Sequence, residues 1–317
     1  MKVVGLQTHI WDNNLKSIFL LTVFPLIIGV LVYFACLILA IAGESKDILY
    51  DSISFTFASM LFVIPAILIW FSIAFAFNKQ IINAMTKSKG LERKDNPKIY
   101  NIVENLCISR GLPVPSIQVI EDDSLNAFAS GLSPRDSAIT FSRGILNKLS
   151  DQEIEAVAAH ELTHIINRDV RLMIVSIIFV GIIQTIADVI IRINIKSDSN
   201  SKDSGNLFII ILGVKILAFV LGFFVSVIVQ LAISRKREFL ADAGSVELTK
   251  TSEYLVSALT KIDQDPRIEA IENRSVAQMF FDNPLASKNG KVNFIDKMFM
   301  THPTIEERVS ALRMVAS

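Results

Sequence analysis

The residues best suited to chemistry lie in one short pattern, His160-Glu161-Leu162-Thr163-His164, which reads H-E-x-x-H. On an α-helix, side chains four positions apart share a face, so the two imidazoles can bind one metal ion. Glu161 can then act as a general base toward a water bound to that metal. Only four histidines occur in the 317 residues, and two of them lie here, which favours a metal site over a chance match.

The stretch Asp151–Asp169, which contains this pattern, is predicted to be helical. Ser150 can cap its first turn, and Glu153 would complete a capping box. Neither Gly nor Pro interrupts the stretch. We expect this helix to run directly into the apolar stretch Leu172–Ala187, which would place the metal close to a membrane surface.

The composition is that of a membrane protein. Hydrophobic residues make up 51% of the chain and the mean hydropathy is +0.48, more apolar than is usual for a soluble globular protein. The 31 basic and 31 acidic residues give a formal net charge of zero, and no basic run could follow a phosphate backbone. The composition therefore argues against nucleic-acid binding.

Four apolar stretches are predicted to cross a lipid bilayer. Residues 17–43 and 52–78 carry no charge, and each run is long enough to span. The third and fourth stretches are Leu172–Ala187 and Leu207–Ser234. Basic residues follow the second and the fourth stretch, so the positive-inside rule places both termini and the metal pattern in the cytoplasm, with the chain in the plasma membrane.

The predicted organisation has five sections. They are a cytoplasmic lead (1–16), transmembrane helices one and two (17–78), a first cytoplasmic section with the metal helix (79–169), a transmembrane hairpin of helices three and four (170–234) and a second cytoplasmic section (235–317). Asp188, Arg192 and Lys215 lie in or beside the hairpin. They either reach toward the bilayer surface or mark an ion or proton pathway, and both readings stay open.

The first cytoplasmic section combines helix and strand patterns. A helix is predicted from Asn96–Pro97 to Arg110, ending at Gly111, followed by strands at Ser116–Glu121, Leu125–Ser130 and Ala138–Ser142. An extended peptide could add to the edge of this small sheet as a further strand. The predicted fold is a mainly α integral membrane protein with four transmembrane helices and a cytoplasmic α+β domain.

A catalytic zinc ion needs three protein ligands and one open position, so the pattern must be completed from elsewhere. Glu238 is the best candidate, because it follows the fourth apolar stretch by a few residues just as His164 precedes the third. A hairpin of these two stretches would bring the two residues together. The alternative is that Glu238 is an ordinary solvated charge in a basic run.

Three segments, HELTHIINRD, SRKREFLAD and THPTIEER, together with the four apolar stretches, resemble the HtpX-type membrane zinc metalloproteases. These are relatives of the CaaX prenyl proteases and have a gluzincin-like catalytic core. The resemblance implies a zinc-dependent endopeptidase that cleaves membrane or misfolded proteins at a cytoplasmic site near the membrane. It also implies a role in membrane protein quality control during stress.

The same resemblance assigns roles at the metal. It makes His160, His164 and Glu238 the ligands of one Zn²⁺ and Glu161 the general base. Asp242, four residues after Glu238, would orient a ligating imidazole through a hydrogen bond.

Further roles are implied at the substrate. Asn126, in a stretch that matches the family's edge-strand motif, would make a polar contact with the substrate backbone. His302 would stabilise the oxyanion that forms on the scissile carbonyl, although it could equally precede a helix capped by Thr304 and Glu307 without catalytic duty. Arg308 is a substrate-binding or structural cation.

Three other functions are weighed against this one. A site-2-type intramembrane protease would place H-E-x-x-H inside a span, whereas here charged residues flank the pattern. A transporter would use Asp188, Arg192 and Lys215. A non-proteolytic membrane chaperone would keep zinc structurally, but it would have no use for Glu161 as a base.

Overall fold

The computed structural model of the chain describes residues 6–42, 45–192, 212–213, 216–217, 220–222, 235–264, 280–281 and 303–315. Its helices are α1 (Leu6–Ala42), α2 (Ile48–Ala76), α3 (Asn78–Thr86), α4 (Pro97–Arg110), α5 (Arg143–Lys148), α6 (Asp151–Ile166), α7 (Asp169–Arg192), α8 (Arg235–Thr249), α9 (Glu253–Ile262) and α10 (Ile305–Val315). Its strands are β1 (Lys89–Gly90), β2 (Ser116–Ile120), β3 (Ala127–Ser133) and β4 (Asp136–Ser142).

The chain forms two compact units. Unit 1 comprises Met1–Lys16, Phe77–Ile174 and Gln230–Ser317, and unit 2 comprises Ser17–Ala76 and Val175–Val229. The mainly α architecture with a small mixed sheet confirms that part of the predicted fold class.

Unit 2 contains the apolar helices. Within the described part of the chain, two helical segments, Ile10–Ile41 and Ile48–Ala76, are long and apolar enough to cross a membrane. Only 6% of the apolar window of the second is buried, so most of its hydrophobic surface faces outward, as expected in lipid. Phe24, Phe71 and Phe179 form an aromatic cluster that joins α1, α2 and α7, with Phe24 and Phe179 stacked at 4.4 Å.

The third predicted stretch lies within α7, which extends to Arg192. The side chains of Asp188 and Arg192 lie outside what the structure describes. Most of the fourth predicted stretch, including Lys215, also lies outside the described residues.

Unit 1 is built on a four-stranded sheet in the order β1-β2-β4-β3. Strands β3 and β4 form an antiparallel hairpin, and β2 pairs with β4 in parallel. The hairpin contains a β-bulge between Gly131 and Ser133, where Gly131 has φ +118. A side chain there would collide with the Asp136 carbonyl, which accounts for the glycine.

Three of the four strands were predicted, and in the correct order. The predicted strand Leu125–Ser130 is displaced, because β3 begins at Ala127 and continues through the bulge to Ser133. The two-residue β1 was not predicted, since so short an element leaves no periodic pattern. The helix from Asn96–Pro97 to Arg110 is confirmed, with Asn96 accepting a hydrogen bond from the Ile99 N–H and Gly111 in the left-handed conformation.

The predicted capping box at the start of α6 is confirmed. Ser150 Oγ accepts a hydrogen bond from the Glu153 N–H, and the Glu153 carboxylate accepts one from the Ser150 N–H. The same carboxylate is held by Ser257 Oγ at 2.6 Å and by Lys261 Nζ at 2.7 Å, both on α9. Glu153 therefore both starts the helix and joins it to its neighbour.

The prediction of one uninterrupted helix through Asp169 is wrong. Helix α6 ends at Ile166, Arg168 adopts a left-handed conformation with φ +62, and α7 begins at Asp169. The Asn13 side-chain amide donates to the Asn167 carbonyl at 2.9 Å, which satisfies a backbone group at this break. The amino-acid types alone gave no sign of the break, because the contact comes from a residue 154 positions away.

Helices α6 and α8 approach each other closely at Gly244. A Cβ added there would lie 2.4 Å from Thr163 Cγ2 and 2.6 Å from Thr163 Oγ1. One residue on, Ser245 Oγ donates to the Ala156 carbonyl at 2.7 Å. The small residue at 244 therefore permits the packing of the two helices.

The Glu153 contacts predict a pH-dependent contribution to stability. Burial by itself raises the pKa of Glu153, but the hydrogen bonds from Lys261, Ser257 and the Ser150 N–H outweigh it and lower the pKa below its usual value. A lowered folded-state pKa stabilises the fold above the unfolded pKa, and the contribution is lost as pH falls. We expect Glu153→Gln to lower the free energy of unfolding by about 1 kcal/mol at pH 7, and this difference should shrink progressively as pH falls below the usual glutamate pKa of about 4.3.

Thermal unfolding of the detergent-solubilised protein between pH 7 and pH 3.5 measures this difference. Glu155→Gln, on the same helix and partly exposed, is the matched control and should change stability little at any pH. A Glu153→Gln effect that stayed constant across the pH range would contradict an ionic contribution.

The close helix contact predicts that Gly244→Ala destabilises the protein by about 1–3 kcal/mol, because Thr163 is β-branched and cannot move aside freely. Gly181→Ala is the control, since an added Cβ at that helical position meets nothing within 4 Å. There the better helix propensity of alanine should leave stability unchanged or slightly raised. The measurement is the unfolding midpoint, and equal midpoints for the two variants would contradict the packing constraint.

Candidate metal centre

Three side chains converge in unit 1 where α6 meets α8. His160 and His164 come from α6 and Glu238 from the first turn of α8, and their ligand atoms all lie within 4.8 Å of one another. His160 Nε2 and His164 Nε2 are 3.1 Å apart, and the Glu238 carboxylate lies 3.6 Å from the first and 3.8 Å from the second. The structure thus brings together the three residues that the sequence selected as ligands.

Each imidazole contacts a carboxylate of its own through Nδ1, the ring nitrogen that does not face the other ligands. His160 Nδ1 lies 3.0 Å from Asp242 Oδ1, and His164 Nδ1 lies 2.9 Å from Asp169 Oδ2. When each Nδ1–H donates to its carboxylate, each Nε2 presents a free lone pair to the space between the ligands. This arrangement fits a metal ion, because it fixes both the tautomer and the ring orientation that ligation requires.

On the His160 side, Asp242 is paired with Arg308. Arg308 Nη2 donates to Asp242 Oδ1 at 2.6 Å and Arg308 Nε donates to Asp242 Oδ2 at 2.9 Å, a bidentate pair. The guanidinium lies 4.5 Å over the Phe281 ring and also donates to the Phe281 carbonyl at 3.3 Å. Arg308 is only 1% exposed. Its contacts favour the structural alternative over direct contact with a substrate.

On the His164 side, Asp169 is held by two residues from distant parts of the sequence. Asn13 Nδ2 donates to Asp169 Oδ1 at 2.8 Å, and Arg237 Nε lies 3.4 Å from the same oxygen. Asp169 is at the start of α7, immediately after the left-handed Arg168. The break between α6 and α7 therefore turns a carboxylate toward the metal centre.

Glu161 is the neighbour of the first histidine and is 2% exposed. Burial raises the pKa of its carboxyl, although His160 and His164 oppose the shift. A base with a raised pKa accepts a proton more readily, and its protonated form can later donate at neutral pH. The position and environment of Glu161 suit a general base and acid.

The charges of the same site shift the pKa values of two other groups, His164 and Asp242. Burial alone would lower the pKa of His164, but the Asp169 hydrogen bond and the charges of Glu238, Asp169 and Glu161 raise it to about 9. For Asp242, burial raises the pKa, but the Arg308 charge and the hydrogen bonds from His160 and Arg308 lower it overall. Asp242 therefore stays ionised beside His160 across the physiological range.

The charges of the site leave room for a divalent cation. Four carboxylates are buried here and two guanidinium groups face them: Glu161, Glu238, Asp169 and Asp242 against Arg237 and Arg308. The Arg308 guanidinium also lies 3.8 Å from the Glu238 carboxylate, so the same cation serves two carboxylates. A doubly charged ion between the ligands would add positive charge where carboxylates outnumber guanidinium groups.

The remaining predicted site residues are placed as follows. Asn126 is fully buried, and its side-chain oxygen accepts a hydrogen bond from the Ala127 N–H at 3.0 Å. His302 lies outside the described residues. Immediately after it, Thr304 and Glu307 form a reciprocal capping box at the start of α10. The substrate roles of Asn126 and His302 stay predictions.

The edge of β3 that faces away from β4 is contacted by the chain itself. The Phe281 N–H donates to the Ala127 carbonyl at 2.8 Å, and Phe280 forms an antiparallel bridge with Phe128. The Phe280 and Phe128 rings lie 4.7 Å apart, and the Phe281 ring lies 4.7 Å from His160. Residues 280–281 thus occupy the part of the edge that the sequence offered to a peptide.

Four contributors were missed by the sequence: Asn13, Asp169, Arg237 and Phe281. Asp169 had a signal, since it is an acidic residue five positions after His164 and within the quoted stretch. Arg237 was interpreted only as a topology signal. Asn13 is an amide in the polar lead, and Phe281 is an aromatic residue far along the chain. Neither residue type suggests a metal centre until the fold is known.

Comparisons with known proteins identify the family of the chain. The family model described as peptidase family M48 matches residues 93–316. The protease HtpX homolog of Bacteroides fragilis strain YCH46 is 44% identical over 321 residues, covering 98% of this chain and 99% of that protein. The protease HtpX homolog of Streptococcus uberis strain ATCC BAA-854 / 0140J is 31% identical over 313 residues. The alignment covers 97% of this chain and 99% of that protein.

Among solved structures, the crystal structure of S. mikatae Ste24p aligns with a TM-score of 0.44 and 22% identity, covering 96% of this chain and 66% of that one. The family match and the near full-length relatives determine the assignment, and the H-E-x-x-H helix lies within the matched region. The chain belongs to peptidase family M48 and is a membrane metalloprotease.

Proposed function

We propose that the chain is a zinc-dependent endopeptidase of the plasma membrane that cleaves membrane or misfolded proteins in the cytoplasm. The observation that carries this proposal is the convergence of His160, His164 and Glu238 beside the buried carboxyl of Glu161. Two histidines and one glutamate form a donor set used by catalytic zinc sites, in which a fourth position stays open for water.

The proposed reaction is hydrolysis of a peptide bond. Bound zinc would polarise the scissile carbonyl and lower the pKa of a water molecule. Glu161 takes the proton from the attacking water and passes it to the leaving amine. Asp242 and Asp169 hold His160 and His164 in the ligating tautomer, with Arg308 compensating the charge of Asp242. His302 is proposed to stabilise the oxyanion on the carbonyl.

The proposed topology has four transmembrane helices with both termini and the metal centre cytoplasmic. The basic residues that follow the second and fourth apolar stretches support this orientation. The proposed protease domain combines sections 79–169 and 235–317, and helices one to four lie within 17–78 and 170–234. Membrane and misfolded proteins as substrates, and a role in quality control, are proposed from the resemblance of the sequence motifs to the HtpX-type membrane proteases.

The structure bears on two of the alternatives. The H-E-x-x-H helix belongs to unit 1, whereas the apolar helices after Lys16 belong to unit 2, which disfavours a site-2-type protease with its motif inside a span. A chaperone with purely structural zinc would have no need of Glu161, whose buried carboxyl lies beside the ligands.

Replacement of the base tests the proposed function. We expect Glu161→Gln to retain zinc and to reduce cleavage of an unfolded substrate such as casein by at least about 100-fold, because proton transfer loses its acceptor. The measurement compares cleavage and zinc content of detergent-solubilised wild type, Glu161→Gln and the control Glu155→Gln, which should cleave normally.

Each outcome points to a different reading. Zinc in all three proteins without cleavage by any would favour the chaperone function or a narrow substrate range. A wild-type protein that binds no zinc would refute the metal centre and reopen the transporter reading of Asp188, Arg192 and Lys215.

The role of Arg308 is tested by its removal. We expect Arg308→Met to destabilise the protein by about 3–5 kcal/mol, because the buried Asp242 carboxylate would lose its bidentate cation and keep only the contact with His160. Arg313→Met, at an exposed position on the same helix, should change stability by less than about 0.5 kcal/mol. If Arg308 instead binds substrate directly, its replacement would raise KM and leave the unfolding midpoint unchanged.

A further inference from the structure

We infer that Asn13 is a positioning residue of the metal centre, acting through Asp169 on the ligand His164. Asn13 lies in the polar lead, four residues before the first uncharged apolar stretch begins at Ser17. The inference rests on the proposed zinc site, and its test measures zinc binding rather than proteolysis, so that the two can fail separately.

The Asn13 side chain is 1% exposed and uses its amide group for two contacts. Its Nδ2 donates to Asp169 Oδ1 at 2.8 Å and to the Asn167 carbonyl at 2.9 Å. A side-chain NH₂ has two protons, so both contacts can form at once. One residue thereby holds a carboxylate and the backbone of the helix break that carries it.

The first contact fixes the orientation of the Asp169 carboxylate. Its Oδ2 lies 2.9 Å from His164 Nδ1, whereas its Oδ1 receives Asn13. A carboxylate can rotate about its last side-chain bond with little resistance, so a donor on one oxygen determines where the other points. Arg237, 3.4 Å from Oδ1, supplies the opposing charge.

The second contact fixes the backbone on which Asp169 stands. Arg168, between Asn167 and Asp169, has φ +62, a conformation that costs energy for a residue with a side chain. The Asn13 bond to the Asn167 carbonyl holds this turn, and with it the direction in which Asp169 leaves the backbone. The orientation of His164 therefore depends on a residue that is 156 positions from Asp169 in sequence.

A neighbouring residue of the same type offers a matched control. Asn14 is on the same helix and is partly exposed, and its Oδ1 accepts from Arg171 at 3.4 Å. Replacing Asn14 removes an amide and a contact with α7 but leaves the Asp169 carboxylate held. The difference between the two positions separates metal positioning from attachment of the lead to the start of α7.

The experiment measures zinc affinity by competition with a chromogenic chelator, using the full chain in detergent. All variants are made in a Glu161→Gln background, which prevents self-cleavage. We expect Asn13→Ala to raise the zinc dissociation constant about 10-fold, the loss typical of a residue that supports a ligating histidine. Asn14→Ala should leave the zinc dissociation constant within about 2-fold of the background value, because the contacts that hold the ligands are retained.

A double-mutant cycle tests the route of the effect. Asp169→Asn should weaken zinc binding at least as much as Asn13→Ala, and adding Asn13→Ala to Asp169→Asn should cause little further loss. The inference would be overturned if Asn13→Ala bound zinc as tightly as its background, or if both asparagine variants lost the same affinity. Additive losses in the cycle would also overturn it.

The remaining outcomes are also decisive. If Asn13→Ala does not fold, Asn13→Ser, which keeps one donor, is compared with Asn14→Ser, and equal zinc affinities for that pair would overturn the inference. Zinc binding that is absent from the background protein refutes the metal centre itself. Zinc binding that is present and equal in every variant refutes only the role of Asn13.

Discussion

The structure of unit 1 depends on the neutralisation of four carboxylates buried around two imidazoles. A buried charge without a partner costs several kcal/mol, so these groups can coexist only if cations lie among them. Arg308 faces both Asp242 and Glu238, and Arg237 faces Asp169. A metal ion at the ligands would add positive charge to this carboxylate-rich centre and would thereby stabilise the folded state.

This balance explains why the centre is assembled from distant segments. Helix α6 supplies two ligands and the base, α8 supplies the third ligand and a supporting carboxylate, and α10 supplies the cation that faces it. The polar lead and the start of α7 support the second histidine. Each segment alone would carry an uncompensated charge or an unsatisfied amide, so the contacts reinforce one another once the fold forms.

Much of this arrangement was predictable from local patterns. The spacing of the two histidines, the capping box at Ser150 and the helix ended by Gly111 all depend on residues within one or two turns, and the structure has all three. The choice of Glu238 also agrees with the geometry, but it rested on the order of the apolar stretches and on family resemblance. The uninterrupted helix was a wrong prediction because a long-range hydrogen bond overrode local propensity at Asn167.

The sequence by itself determined the type of chemistry, since only certain residues at helical spacing can bind a metal and supply a base. It also determined the mainly α class, through long apolar runs and strong caps. Only the tertiary structure decided which groups support each ligating histidine. Asp242, paired with Arg308, supports His160. Asp169, held by Asn13, supports His164. The physical reason is that ligand spacing is a local property of one helix, whereas charge compensation and hydrogen bonding join groups that are close only after folding.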